Sequence, residues 1–232
     1  MEGIQSMKKL VLLSTGVALV PRMMDVVKKL DPEIQIYNIV DDTIVSTIAK
    51  NGNVVPPSIL ARMCDYCRVG EDMKADALLL TCSSISEAID VAQPLVNLPL
   101  FKIDEPMMEE AVCRAENRIG VAATLMTTLK PSCRQLEKKI LESGKALSIV
   151  EGLCEGAFDA YLEGNTSLHD NIVRETVSYL LETCDVVVLA QASMATATST
   201  LPSSMQARVL TSPELGIRRV VAFLEQLPGE VA

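Results

Sequence analysis

The sequence predicts an α/β fold: two pseudo-symmetric α/β domains with mostly parallel sheets and a functional cleft between them. Two observations lead there. Apolar runs of strand length alternate with longer amphipathic stretches, the pattern of parallel strands whose helical crossovers cover both faces of a sheet. Parts of the chain also match other parts at one nearly constant offset, the mark of a duplicated unit.

Taken in order, residues 10–13 read as a buried strand, and Pro21 opens a helix over 21–30, since proline in a first turn gives up an N–H that has no partner anyway. A strand over 34–40 precedes a helix over 57–73 headed by Pro57, and a strand over 77–80 precedes a helix over 84–92 with Ser84 as its cap. A helix over 105–114 leads into a strand over 119–123 and a helix over 127–142, which carries Pro131 in its first part. A strand over 147–150, a helix over 167–182 and a strand over 186–189 follow. Residues 208–210 and 213–226 supply a last strand and helix, which are expected to return to the first domain.

The duplication is read from three stretches. Residues 76–88, DALLLTCSSISEA, lie over 185–197, DVVVLAQASMATA, 109 positions later, with Asp, Leu, Ser and Ala in common. At the same offset 9–15, KLVLLST, lie over 118–124, RIGVAAT. With one inserted residue, 39–41 lie over 149–151, which would make Glu151 the counterpart of Asp41. The expected domains are residues 1–104, completed by 210–232, and residues 105–209. The turns after the equivalent strands, 81–84 and 190–193, then fall at carboxyl ends, where open α/β sheets take ligands.

Composition narrows the function. The chain has 232 residues, 49% of them hydrophobic, enough for a sizeable core, and a net charge of −9. That charge argues against a nucleic-acid partner, which needs a basic patch, and aromatics at 3% with no Trp leave no stacking platforms. Residues 10–13 and 17–20 follow Lys8 and Lys9 in the manner of a leader peptide, but Ser14, Thr15 and Gly16 interrupt them, and no apolar run reaches the length of about 20 residues that a membrane helix needs. Seven cysteines without framework spacing point to a reducing, cytoplasmic compartment. The many apolar residues permit a homo-oligomer.

Cys82 leads the candidates for chemistry, because it stands between a strand and the helix expected from Ser84. A thiol there gains from the helix N-terminus, which favours the thiolate, while Thr81, Ser83 and Ser84 offer hydroxyls for a carboxylate. The alternative is a small buried hydrophobe beside an ordinary cap. Thr15 and Thr124, which end the first strand of each half, form hydroxyl-rich turns with Ser14, Gly16, Thr127 and Thr128, suited to carboxylate oxygens or simply to capping. Asp41 and Asp42 could add a polar group, with helix capping as the alternative; no third acidic or histidine ligand is spaced to complete a metal site. Cys64 and Cys67 form a CxxC without the second pair that zinc would want, and they read, like Cys113, Cys133, Cys154 and Cys184, as packing residues. His169, the only histidine, reads as a surface residue. No glycine-rich phosphate loop occurs.

The Thr81-Cys82-Ser83-Ser84 turn, the stretches IGVAAT at 119–124 and LAQASMA at 189–195, and the shorter IDEPM at 103–107 and VLTSP at 209–213 resemble the aspartate/glutamate/hydantoin racemase superfamily over nearly the whole chain. The resemblance implies a cofactor-independent enzyme acting on a small-molecule carboxylate. In that superfamily one cysteine from each half moves a proton beside a carboxylate or carbonyl, on opposite faces. Cys82 falls on the first position. Gln191 falls on the second, and an amide neither takes nor gives a proton near neutral pH. Gln191 can instead donate a hydrogen bond to a developing enolate, which suits isomerisation by one base, decarboxylation or elimination. Thr81, Ser83, Ser84, Ser14, Thr15, Asp42, Thr124, Thr127 and Ser193 are the implied substrate contacts. A small-acid binding protein is the non-enzymatic alternative.

Overall fold

The computed structural model describes residues 7–52 and 54–228. The chain divides after Ile103 and again after Ser212, residues 213 onward joining the first unit.

The first unit holds β1 (Lys9–Ser14), α1 (Val20–Leu30), β2 (Gln35–Val40), α2 (Thr43–Lys50), α3 (Pro57–Asp72), β3 (Ala77–Leu80), α4 (Glu87–Ala92) and β4 (Leu100–Lys102). The second holds α5 (Glu105–Arg114), β5 (Arg118–Ala123), α6 (Met126–Ser143), β6 (Ser148–Leu153), α7 (Ala157–Leu162), α8 (Thr166–Leu181), β7 (Val186–Leu189), α9 (Ser203–Gln206) and β8 (Val209–Thr211). Helix α10 (Ser212–Gln226) then lies almost wholly in the first unit. Each unit carries one four-stranded parallel sheet, ordered β2-β1-β3-β4 and β6-β5-β7-β8. Strands β3 and β7 are buried at all four positions, which is why they read as unbroken apolar runs rather than as alternations.

The repeat is visible in the hydrogen bonding. Asp76 Oδ2 accepts the Lys9 N–H at 2.7 Å, and Asp185 Oδ2 accepts the Arg118 N–H at 2.9 Å; the shared aspartate ties the start of each unit's third strand to its first. Leu10 pairs with Ala77 and Ile119 with Val186, which keeps the offset of 109. The outer strands revise the sequence alignment. Lys9 pairs with Gln35 and Arg118 with Ser148, and Asp41 N donates to Ser14 O as Cys154 N donates to Ala123 O. The structural counterpart of Asp41 is therefore Cys154, not Glu151, because ladder pairing sets the register while short apolar strands match one another in several frames.

Three other expectations change. Residues 209–211 form β8 beside β7 in the second sheet, so only the helix after them joins the first unit. Strand β4 was not expected, being three residues long after Pro99. Helix α2 was not expected either, since Thr43, Ile44, Val45, Thr47 and Ile48 are β-branched and weak helix formers; burial of Ile44 and Ile48, one turn apart, outweighs propensity. Strands β4 and β8 are equivalent in the repeat, and in both cases the helix that follows belongs to the other unit: α5 to the second, α10 to the first. Helix α10 settles through Ile217, Val220, Val221 and Leu224, all buried, with Phe223 against Phe101 at 5.1 Å between ring centroids.

Candidate functional site

In a parallel sheet every strand leaves at the same edge, so the loops after β1, β2 and β3 gather in the first unit and those after β5, β6 and β7 in the second.

In the first unit, Ser14 closes β1 and Thr81 follows β3, with their hydroxyls 2.8 Å apart. Thr81 Oγ1 also donates to Leu13 O at 3.3 Å, so its single proton is spent there and Ser14 is the donor between the two. Both side chains are buried and satisfied within the protein. Cys82 comes next, half-buried in extended conformation. The helix expected from Ser84 is broken: a 3-10 turn, Ser83–Ile85, precedes α4, which has only six residues. The dipole available to Cys82 is correspondingly smaller than a full helix would supply, because it sums over aligned peptides. Ser83 is buried, while Ser84 and Thr15 are half-buried.

After β2 it is Asp41, not the exposed Asp42, that turns inward. Asp41 Oδ1 accepts the Thr43 N–H at 3.1 Å and the Thr43 hydroxyl at 2.5 Å, and Oδ2 accepts Arg62 Nη1 at 2.7 Å and the Tyr66 hydroxyl at 2.8 Å. Burial works against its charge, but the Thr43 and Tyr66 hydrogen bonds and the Arg62 cation outweigh burial and hold the carboxyl below its ordinary range. Burial and the neighbouring Asp41 push the Tyr66 hydroxyl up. Sequence reasoning missed Arg62 and Tyr66; their spacing of four on one helix was the available signal.

In the second unit Gln191, half-buried, occupies the place of Cys82. Its Oε1 accepts both the Thr124 N–H, at 2.6 Å, and the Thr124 hydroxyl, at 2.9 Å. Two donors on one oxygen fix which way the amide faces, so its NH₂ is the group left to offer a ligand. Ser193 is half-buried in the 3-10 helix Ala192–Thr200 that follows. Thr127, in the first turn of α6, is buried, and its Oγ1 has no hydrogen-bond partner among the described residues. Leu125 caps that helix without a side-chain bond. Thr124 and Gln191 are thus the predicted residues of this unit that the structure brings into contact at the sheet's carboxyl edge. Glu151 is ion-paired with Lys130 at 2.7 Å and lines an open groove of about 410 Å³ with Cys133, Glu137 and Lys145.

His169, expected at the surface, is buried, with Nδ1 2.8 Å from Asp170 Oδ1 and its ring against Tyr161. Cys113, expected in packing, is exposed on α5; Cys64 and Cys67 are buried and unpaired on α3. Burial pushes the Cys67 and Cys133 thiols up to about 12. Among the described residues no group of three or more His, Cys, Asp or Glu could hold a metal ion, and no helix is long and apolar enough to cross a membrane.

The family model for Asp/Glu/hydantoin racemase matches residues 10–220. A search of curated proteins returns no match. Among solved structures, a glutamate racemase isoform from Bacillus anthracis is similar with a TM-score of 0.71 at 15% identity, over 94% of this chain and 82% of that one. Allantoin racemase from Klebsiella pneumoniae gives 0.69 at 15% identity, over 94% and 88%. An aspartate racemase homologue from Pyrococcus horikoshii gives 0.63 at 16%, over 95% and 100%. At such identities the structural likeness is one of fold; the family match, spanning both sheets and both turns described above, carries more, and by it the chain belongs to the Asp/Glu/hydantoin racemase family, a family of isomerase enzymes.

Proposed function

We propose that the enzyme moves a proton at the carbon next to a carboxylate of a small carboxylic or amino acid, without a cofactor, with Cys82 as the group that takes or gives it. The observation that carries this reading is the placing of Cys82: a half-buried thiol outside any disulfide at the carboxyl end of a central parallel strand, followed in sequence by Ser83 and Ser84. A half-buried thiol at a strand end is exposed enough to meet a substrate. Ser14 and Thr81, which satisfy each other, hold the turn. In the second unit Thr124 and Thr127 are the proposed carboxylate contacts, Thr127 through its unpartnered hydroxyl, with Ser193 beside them in sequence. Asp42, exposed at the start of α2, is at most a peripheral contact.

Gln191 favours a second reading. Its amide, oriented by Thr124, stabilises an enolate oxygen by hydrogen bonding but returns no proton. A chain with one thiol and one amide therefore also suits decarboxylation or elimination, with Cys82 protonating the product on one face.

Proton NMR in D₂O, with wild type and Cys82→Ala against a panel of small α-substituted acids and malonates, separates the readings. Cys82-dependent deuterium uptake without mass loss is expected for the isomerase, and uptake with loss of CO₂ for the decarboxylase. Turnover above a few per cent in Cys82→Ala would remove the thiol from the mechanism.

A further inference from the structure

The two sheets end in the edge strands β2, β4, β6 and β8, and these are not alike. An edge strand shows a row of unpaired N–H and C=O groups, which proteins blunt by shortening the strand, by charging it or by covering it. Strands β4 and β8 have three residues each, and β6 carries Glu151 and Gly152. Strand β2, Gln35-Ile36-Tyr37-Asn38-Ile39-Val40, has six residues and no charge, proline or glycine. Ile36, Tyr37, Ile39 and Val40 are strong strand formers.

The ladder fixes which groups face outward. Gln35 N donates to Lys8 O and Asp41 N to Ser14 O, and in a parallel pair alternate residues turn both N–H and C=O to the same neighbour. Residues 35, 37, 39 and 41 therefore face β1, while Ile36, Asn38 and Val40 hold their backbone groups outward, where no described residue bonds them. The side chains of Asn38 and Val40 are exposed as well. An identical strand laid antiparallel along this edge matches all three outward residues only when the two-fold axis passes through Asn38. Ile36 then meets the second copy's Val40, and Asn38 meets its own copy.

Charge decides between β2 and its repeat equivalent. In β6, Ser148 N donates to Asn117 O and Cys154 N to Ala123 O, so Ile149, Glu151 and Leu153 face outward. The same axis would fall on Glu151 and set like charges directly opposite each other. On β2 the register brings opposite charges together instead, because it places Ile34 opposite the second copy's Asp42. Lys28 Nζ lies 2.7 Å from Ile34 O and 2.6 Å from Pro32 O, which leaves one of its three donors and its charge without a carboxylate among the described residues. Asp42 is exposed and has no ion-pair partner among those residues. The pair forms twice by symmetry.

We propose that β2 is an interface between two copies of this chain, the two strands pairing antiparallel about Asn38 and joining two four-stranded sheets into one. The surface is independent of the chemistry assigned to Cys82.

The full chain tests this by analytical ultracentrifugation from about 1 to 100 μM and by amide hydrogen exchange read residue by residue in NMR spectra. A species of twice the chain mass is expected, with the Ile36, Asn38 and Val40 amides exchanging at least about tenfold more slowly at the highest concentration than at the lowest. Asn38→Lys puts like charges on the axis at an exposed position, and should raise the dimer dissociation constant at least about tenfold. Asp42→Lys should weaken the dimer, and Lys28→Glu in the same chain should restore it. A chain that is monomeric throughout the range overturns the proposal. So does a dimer that Asn38→Lys leaves intact, or one whose three outward amides exchange alike at both concentrations, since either result places the contact elsewhere. A double variant no tighter than Asp42→Lys overturns the register about Asn38. The amide measurement is made on wild type, so it decides even if a variant fails to fold.

Discussion

Gly216→Ala tests how α10 is seated. In an exposed helix this change stabilises by about 1 kcal/mol, because glycine loses more backbone entropy on folding. At Gly216 a Cβ would stand 2.4 Å from the Ile103 carbonyl oxygen and 2.8 Å from Ile103 Cα. Both are backbone atoms at the point where the chain leaves the first unit, so no rotamer change relieves the contact. Relief requires the helix to lift by about 1 Å, and a gap of that size forfeits a quarter to a half of the dispersion well of each lining contact. The side chains that would lose contact, Ile217, Val220, Val221 and Leu224, are all buried. Overpacking of this kind costs about 1–3 kcal/mol, so the expected sign is the reverse of the propensity effect. Urea unfolding followed by circular dichroism should show the midpoint lower by about 1 M. Gly16→Ala is the control, since nothing lies within 4 Å of its added Cβ and its φ of −156° suits any residue; it should stay within about 0.5 kcal/mol of wild type. A Gly216→Ala protein as stable as wild type, or more so, would refute the close seating of α10 on Ile103.

Three further predictions follow from the same structure. Asp41→Asn should destabilise by about 1–3 kcal/mol at pH 7; because the folded carboxyl titrates below its ordinary value, its contribution is complete above the unfolded pKa near 4 and disappears as pH falls through the folded value. Urea melts of wild type and variant should therefore converge below about pH 4, and a gap constant with pH would contradict the ion pair. Asp185→Ala removes the acceptor of three backbone N–H groups, those of Glu116, Asn117 and Arg118, and should lower the melting temperature by about 4–8 °C, more than Asp76→Ala, whose carboxylate serves Lys9; the reverse order in thermal melts would contradict the assignment. Iodoacetamide at pH 8 should label exposed Cys113 at least about 100-fold faster than Cys67 or Cys133, whose thiols burial pushes up to about 12; peptide mapping that finds Cys67 labelled in the native protein would refute that burial.

The central strands, the long amphipathic helices and the duplication follow from the sequence by itself, because parallel strands covered on both faces must be apolar throughout and their crossovers must show helical period. Thr81, Cys82 and Gln191 were legible as strand-end residues for the same reason. The partners of those residues were not. That Thr124 grips Gln191, or that Ser14 and Thr81 satisfy each other, depends on β1 lying beside β3 and β5 beside β7, and pairing across strands joins residues 67 apart in the chain. Asp41 illustrates the limit most clearly: sequence frames it with Glu151, while ladder register equates it with Cys154, and its cation comes from a helix 21 residues further on. That residues 209–211 pair with β7 in the second sheet was also beyond local pattern, since a short apolar strand declares that it is buried but not which neighbour it pairs with. Periodicity records which side of an element is buried; only the packed chain decides against what.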